Sequence, residues 1–76
     1  MISYLKGKIR DKGNGFIVLE VNNIGYKIFV AALLYADLNP GQDLELHTHQ
    51  YVREDAINLY GFSRPEELEL FEMLIG

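Results

Sequence analysis

A small all-β barrel of five strands, with one short helical insert and a closing helix, is what this sequence predicts. Three observations lead there. Five runs of six to ten residues alternate or mass apolar side chains as strands do. Glycine- and asparagine-rich turns separate the early runs. Helical spacing appears in only two places, one brief and one at the end.

Ile2–Asp11 is the first run, with Leu5 and Ile9 on one side and Lys6, Lys8 and Arg10 on the other. Lys12-Gly13-Asn14-Gly15 turns the chain, because glycine and asparagine tolerate positive φ. Phe16–Val21 is apolar on both faces apart from Glu20, as a central strand is. Asn22-Asn23-Ile24-Gly25 is a second turn, leading into Tyr26–Ala31. A helical turn fits Ala32–Leu38 and stops at Asn39-Pro40-Gly41, since proline cannot continue a helix. Asp43–Val52 and Ala56–Phe62 supply strands four and five. Ser63-Arg64-Pro65-Glu66 then opens a helix: Ser63 and Glu66 are spaced as a capping box, and Pro65 suits the first turn. Its apolar stripe is Leu68, Phe71, Leu74 and Ile75. Residues 1–62 therefore form the barrel and 63–76 a linking helix, whose apolar end is expected to lead into further chain. Five strands with a helical insert after the third match an OB-type barrel; an SH3-like barrel is the alternative.

Seventy-six residues make one small domain, burying only about 60% of its unfolded surface. There are no cysteines, and no apolar run is long enough to span a bilayer. No signal-peptide pattern stands at the N-terminus, so a cytoplasmic location is expected. The net charge of −4 is uneven: residues 1–27 carry +3 and residues 28–76 carry −7. An acidic total argues against nucleic-acid binding driven by charge alone, because that affinity comes from neutralising phosphates with Lys and Arg.

Few residues have chemistry to offer. His47 and His49 fall on one strand face with Asp43, Glu45 and Tyr51, an arrangement open to a metal. Period-two alternation produces the same face with no metal at all, and no cysteine or third histidine joins it. No nucleophile elbow, phosphate-cradling loop or triad pattern is present, so no catalytic residue, metal or cofactor is assigned. Lys6, Lys8, Arg10 and Lys12 alternate into a cationic stripe that either tracks a phosphate backbone or protects a sheet edge. Val52-Arg53-Glu54-Asp55-Ala56 sits between two strand runs, so Glu54 and Asp55 belong at a hairpin tip. Two carboxylates there can repel an anion, hold a cation or keep the turn soluble.

Tyr51-Val52-Arg53-Glu54-Asp55-Ala56 followed by Leu59-Tyr60-Gly61-Phe62 resembles the RuvA N-terminal domain family. Met1-Ile2, Leu5-Lys6-Gly7, Gly25-Tyr26 and Thr48-His49 add to the likeness, and Glu67–Phe71 with Leu74-Ile75 resembles the linking helix. The resemblance implies a non-catalytic OB-fold domain of the Holliday-junction-binding subunit of a bacterial branch-migration helicase, acting in recombination, repair and the SOS response. It implies a homotetramer on four-way junction DNA and an ATPase partner, RuvB, reached through a further C-terminal domain. Helix–hairpin–helix motifs that grip DNA would lie between the two. Glu54 and Asp55 match the family's acidic pin, which helps part strands at the crossover. Arg53, Lys6 and Lys8 are expected near the DNA backbone. The alternative reading is a free-standing OB module for single-stranded nucleic acid.

Overall fold

A computed structural model describes all residues, Met1 to Gly76. The elements run β1 (Tyr4–Lys12), β2 (Phe16–Val21), β3 (Ile24–Val30), α1 (Ala32–Ala36), β4 (Asp43–Arg53), β5 (Ala56–Phe62) and α2 (Pro65–Ile75). The strands close a barrel in the order β1-β2-β3-β5-β4, with β4 returning to β1. α1 carries the chain across the barrel so that β4 pairs with β1 rather than β3. β5 then fills the gap between β4 and β3, antiparallel to the first and parallel to the second. This is the expected OB-type barrel. Closure also removes one sequence alternative, because β1 is paired on both sides and is not a sheet edge.

Inward positions at every second residue fill the interior, as a strand's period of two requires. Leu5, Ile9, Ile17, Leu19, Ile28, Leu46 and Leu59 meet there, and Leu38, just past α1, joins them. Thr48 is the buried polar member; its hydroxyl donates to the Ile2 carbonyl at 2.8 Å.

Five local expectations are corrected. The second turn is Asn22-Asn23 alone, with φ of 51° and 69°. Asparagine tolerates this left-handed pair, as a primed two-residue turn needs, so Ile24 and Gly25 are released into β3 opposite Val21 and Glu20. α1 ends at Ala36, before Leu38. Lys12 Nζ donates to the Tyr35 and Leu38 carbonyls at 3.0 and 2.7 Å, taking up acceptors at that helix end. Lys12 thereby leaves the cationic stripe, since a register shift between Ile9 and Asp11 breaks the alternation in β1.

α2 supplies the other two. Its N-cap is Arg64, in extended backbone and without a side-chain cap, which places Pro65 at the first helical position. Ser63 therefore stands one residue too early for a capping box, and its hydroxyl donates instead to Glu67 Oε1 at 3.0 Å. Of the expected stripe, Leu68 and Phe71 are half-buried, but Leu74 and Ile75 are exposed, as are Leu70 and Met73. The barrel wall seats the helix around Phe71, whose ring lies 5.4 Å from Tyr60 and 5.0 Å from Phe62.

Candidate functional site

The β4–β5 hairpin runs well past the barrel that anchors it. Inward positions along β4 show where support ends: Leu46 and Thr48 are buried, at 0% and 1% exposure, whereas Val52 is 62% exposed. Across the hairpin, Leu59 is buried and Ile57 is exposed. Val52 and Ile57 are cross-strand partners, so the outer part of the ribbon has no core behind it. Glu54 stands six positions beyond Thr48, about 20 Å of extended chain.

Arg53 pairs with Ala56, leaving Glu54 and Asp55 as the two residues of the turn. Both are exposed, and neither takes a positive φ, unlike the asparagine turn at 22–23. No lysine, arginine or histidine lies within 4.0 Å of either carboxylate. Arg53 is directed along the ribbon instead, its guanidinium 5.6 Å from the centre of the Tyr51 ring. The tip thus presents two uncompensated negative charges, with one cation behind them. Such a group repels anions at close range and is strongly hydrated.

Lys6 and Lys8 lie elsewhere. Lys6 is level with Glu45 and Lys8 with Asp43, toward the opposite end of β4 from the tip. Their neighbours are acidic: Lys8 Nζ is 3.7 Å from Asp43, and Arg10 Nε is 3.0 Å from Glu20. The stripe is therefore an exposed outer face of mixed charge, less suited to tracking a strand of phosphates than an uninterrupted cationic row.

The two histidines take separate partners. His47 packs against Tyr4, ring centroids 5.7 Å apart. Tyr4 donates to Glu45 at 2.6 Å, and this hydrogen bond, together with the carboxylate's charge, raises the phenol above the ordinary tyrosine value of 10.0. His49 meets Glu72 of α2 at 2.9 Å through Nδ1. Alternation placed both imidazoles on one face, but contacts 43 and 23 residues away in sequence, with Tyr4 and Glu72, decide what each does. Sequence reasoning missed the bare Val52–Ile57 pair and the aromatic seat of Phe71. Carrying strand register across the turn signals the first; nothing local signals the second.

An apolar groove of about 500 Å³ lies between α1 and α2, lined by Leu33, Leu34, Leu70, Phe71 and Leu74. Asp37 and Glu67 are its acidic members, and Ser63, which donates to Glu67, is its hydroxyl. No helix is long and apolar enough to cross a membrane.

Comparison with known proteins adds a family. The pattern described as RuvA N terminal domain matches residues 1–61. The chain is 42% identical to the Holliday junction branch migration complex subunit RuvA of Acetivibrio thermocellus, across all of this chain and 38% of that protein. Identity to the subunit of the same name is 47% in Citrifermentans bemidjiense, over all of this chain and 39% of the relative. In Ruminiclostridium cellulolyticum it is 43%, over 99% of this chain and 38% of the relative. The chain thus spans about two fifths of the length of these relatives.

Proposed function

This chain belongs to the RuvA N-terminal domain family, and from that premise we propose that it is the part of a junction-binding subunit that faces the crossover of four-way DNA. The observation that carries the reading is the bare acidic tip: Glu54 and Asp55 stand at the end of a protruding ribbon with no cation paired to them.

The tip's physics suits a strand separator. A carboxylate about 6 Å from a phosphate repels it by about 1–3 kcal/mol for an effective dielectric between that of water and a protein surface. One DNA stacking step is worth about 1.4 kcal/mol. The two are comparable, so the pin parts and guides strands at the branch point but cannot drive migration over many steps. That work requires a motor, and the partner we propose is the RuvB ATPase, engaged by regions outside this chain. Negative charge at the centre also penalises DNA whose phosphates cannot move aside, which favours junctions over plain duplex.

Arg53, immediately behind the acids, is the cation placed to meet a backbone phosphate as strands leave the tip. Lys6 and Lys8 would contact DNA only along an arm, away from the crossover. Four copies around the junction and a cytoplasmic setting complete the proposal. α2 is the link to the DNA-gripping helix–hairpin–helix segment.

The test uses a full-length subunit carrying this domain. Glu54→Gln combined with Asp55→Asn should bind four-way junctions at least as tightly as the parent and lose discrimination against duplex, measured by gel shift on matched DNAs. A marked fall in junction affinity would show that the tip attracts DNA, through a bound cation, and would overturn the proposal. The free-standing single-strand-binding alternative has no observation in its favour, since the stripe it needs is interleaved with Asp43, Glu45 and Glu20.

A further inference from the structure

We infer that His49 is a positioning residue that latches α2 to the barrel wall and so sets the angle between the acidic tip and whatever follows that helix. Three contacts make the latch. His49 Nδ1 lies 2.9 Å from Glu72 Oε2. The imidazole packs edge-on against Phe71, centroids 5.6 Å apart with the planes at 66°. Phe71 is in turn held by Tyr60 and Phe62 of β5. Phe71 and Glu72 are adjacent, so a single turn of α2 supplies both the apolar and the polar anchor.

The polar contact fixes the ring chemically. An ionised carboxylate only accepts, so Nδ1 must carry the hydrogen. In a neutral imidazole that leaves Nε2 as the acceptor, and the hydrogen bond selects the tautomer. The groups facing His49 are Glu72 from α2, Tyr60 from the neighbouring β5 position, and His47 and Tyr51 two residues away on β4's outer face. Glu72 is the charged member of that set. The His49 side chain is only 16% exposed, so the bond is partly shielded from competing water.

Position gives the latch its consequence. His49 lies on β4, five positions before Glu54 in the turn, so a helix clamped at His49 is referenced to the ribbon that carries the tip. Apart from Phe71, the half-buried residue of α2 is Leu68, in its first turn. The effect on strand guidance rests on the junction reading above. The docking itself does not, and the following measurements read docking alone.

Long-range ¹H–¹⁵N spectra of the imidazoles at pH 8.5, with His47→Gln to assign the two rings, should show His49 protonated at Nδ1. Glu72→Gln, which keeps an acceptor, should retain that signature, and Glu72→Ala should move His49 to the Nε2–H form. Amide exchange in the last two turns of α2 should be about 3- to 10-fold faster in Glu72→Ala and His49→Ala, with β1 and β2 unchanged and Glu72→Gln close to the parent. A parent ring protonated at Nε2, or α2 exchange in Glu72→Ala equal to the parent, overturns the latch. Glu72 is on the exposed side of the helix, so its variants keep the test decisive even where His49→Ala disturbs the barrel.

Discussion

Replacing Gly61 with alanine challenges the closure of the barrel at the strand that carries the returning half of the hairpin. Gly61 is buried and bracketed, paired with Thr48 on β4 and Val30 on β3. An added Cβ would stand 2.7 Å from Ile28 Cγ2 and 2.8 Å from Leu46 Cδ1. Favourable carbon contacts lie at about 3.5–4.0 Å, so both approaches are short by most of an ångström. Neither neighbour can yield into solvent, because both are fully buried. Overpacking of this kind costs about 1–3 kcal/mol, offset by about 0.4–1 from the stiffer unfolded chain. A net loss of about 1–2 kcal/mol is large beside the roughly 4–11 kcal/mol expected of a domain this size.

Two companion variants turn the argument into a ranking. A Cβ at Gly7 would lie 2.1 Å from the Glu20 carbonyl oxygen, so β1 and β2 must part and ladder bonds must break. That loss should exceed about 3 kcal/mol. At Gly25 the nearest atom is Val18 Cγ1 at 3.1 Å, and the change should stay within about 0.5 kcal/mol. Urea unfolding followed by far-ultraviolet circular dichroism reads all three. With a slope near 1 kcal/mol per molar, the Gly61→Ala midpoint falls by about 1–2 M. Gly61→Ala unfolding at the parent midpoint, or Gly7→Ala no less stable than Gly25→Ala, would refute the reasoning.

Three further outcomes are expected. Glu45→Gln should return the Tyr4 phenol toward 10.0, seen as the part of the ultraviolet titration that Tyr4→Phe removes. Because the folded value is raised, the phenol's contribution is complete below pH 10.0 and disappears as pH rises through the folded value. Thr48→Val keeps the shape but strips the Ile2 carbonyl of its donor, costing about 1–3 kcal/mol in urea and loosening residues 1–3 in amide exchange; an unchanged midpoint counts against it. Phe71→Ala should release α2 while leaving the barrel folded. Its cost is below the 3–5 kcal/mol of a fully buried phenylalanine, about 1–3 kcal/mol, and unaltered exchange in α2 would contradict this.

Much of the architecture was legible because strand periodicity and turn chemistry are local. The β2 and β5 bounds and the Glu54-Asp55 tip follow from alternation and from which residues tolerate a turn. The errors fell where neighbouring residues compete for one role. Asn22 and Asn23 complete a turn that seemed to need Gly25, and Arg64 takes the cap that Ser63 was expected to fill.

By itself, then, the amino-acid order determined five strands, a brief insert, a final helix and a charged turn, since each depends on residues within a few positions of one another. Only the folded barrel decided which charges remain free. Arg10 meets Glu20, Lys8 lies beside Asp43 and His49 reaches Glu72, while Glu54 and Asp55 are left alone. Strand register and closure set those distances, and one residue of slip at Arg10 is enough to redirect a lysine from the outer face to the end of a helix.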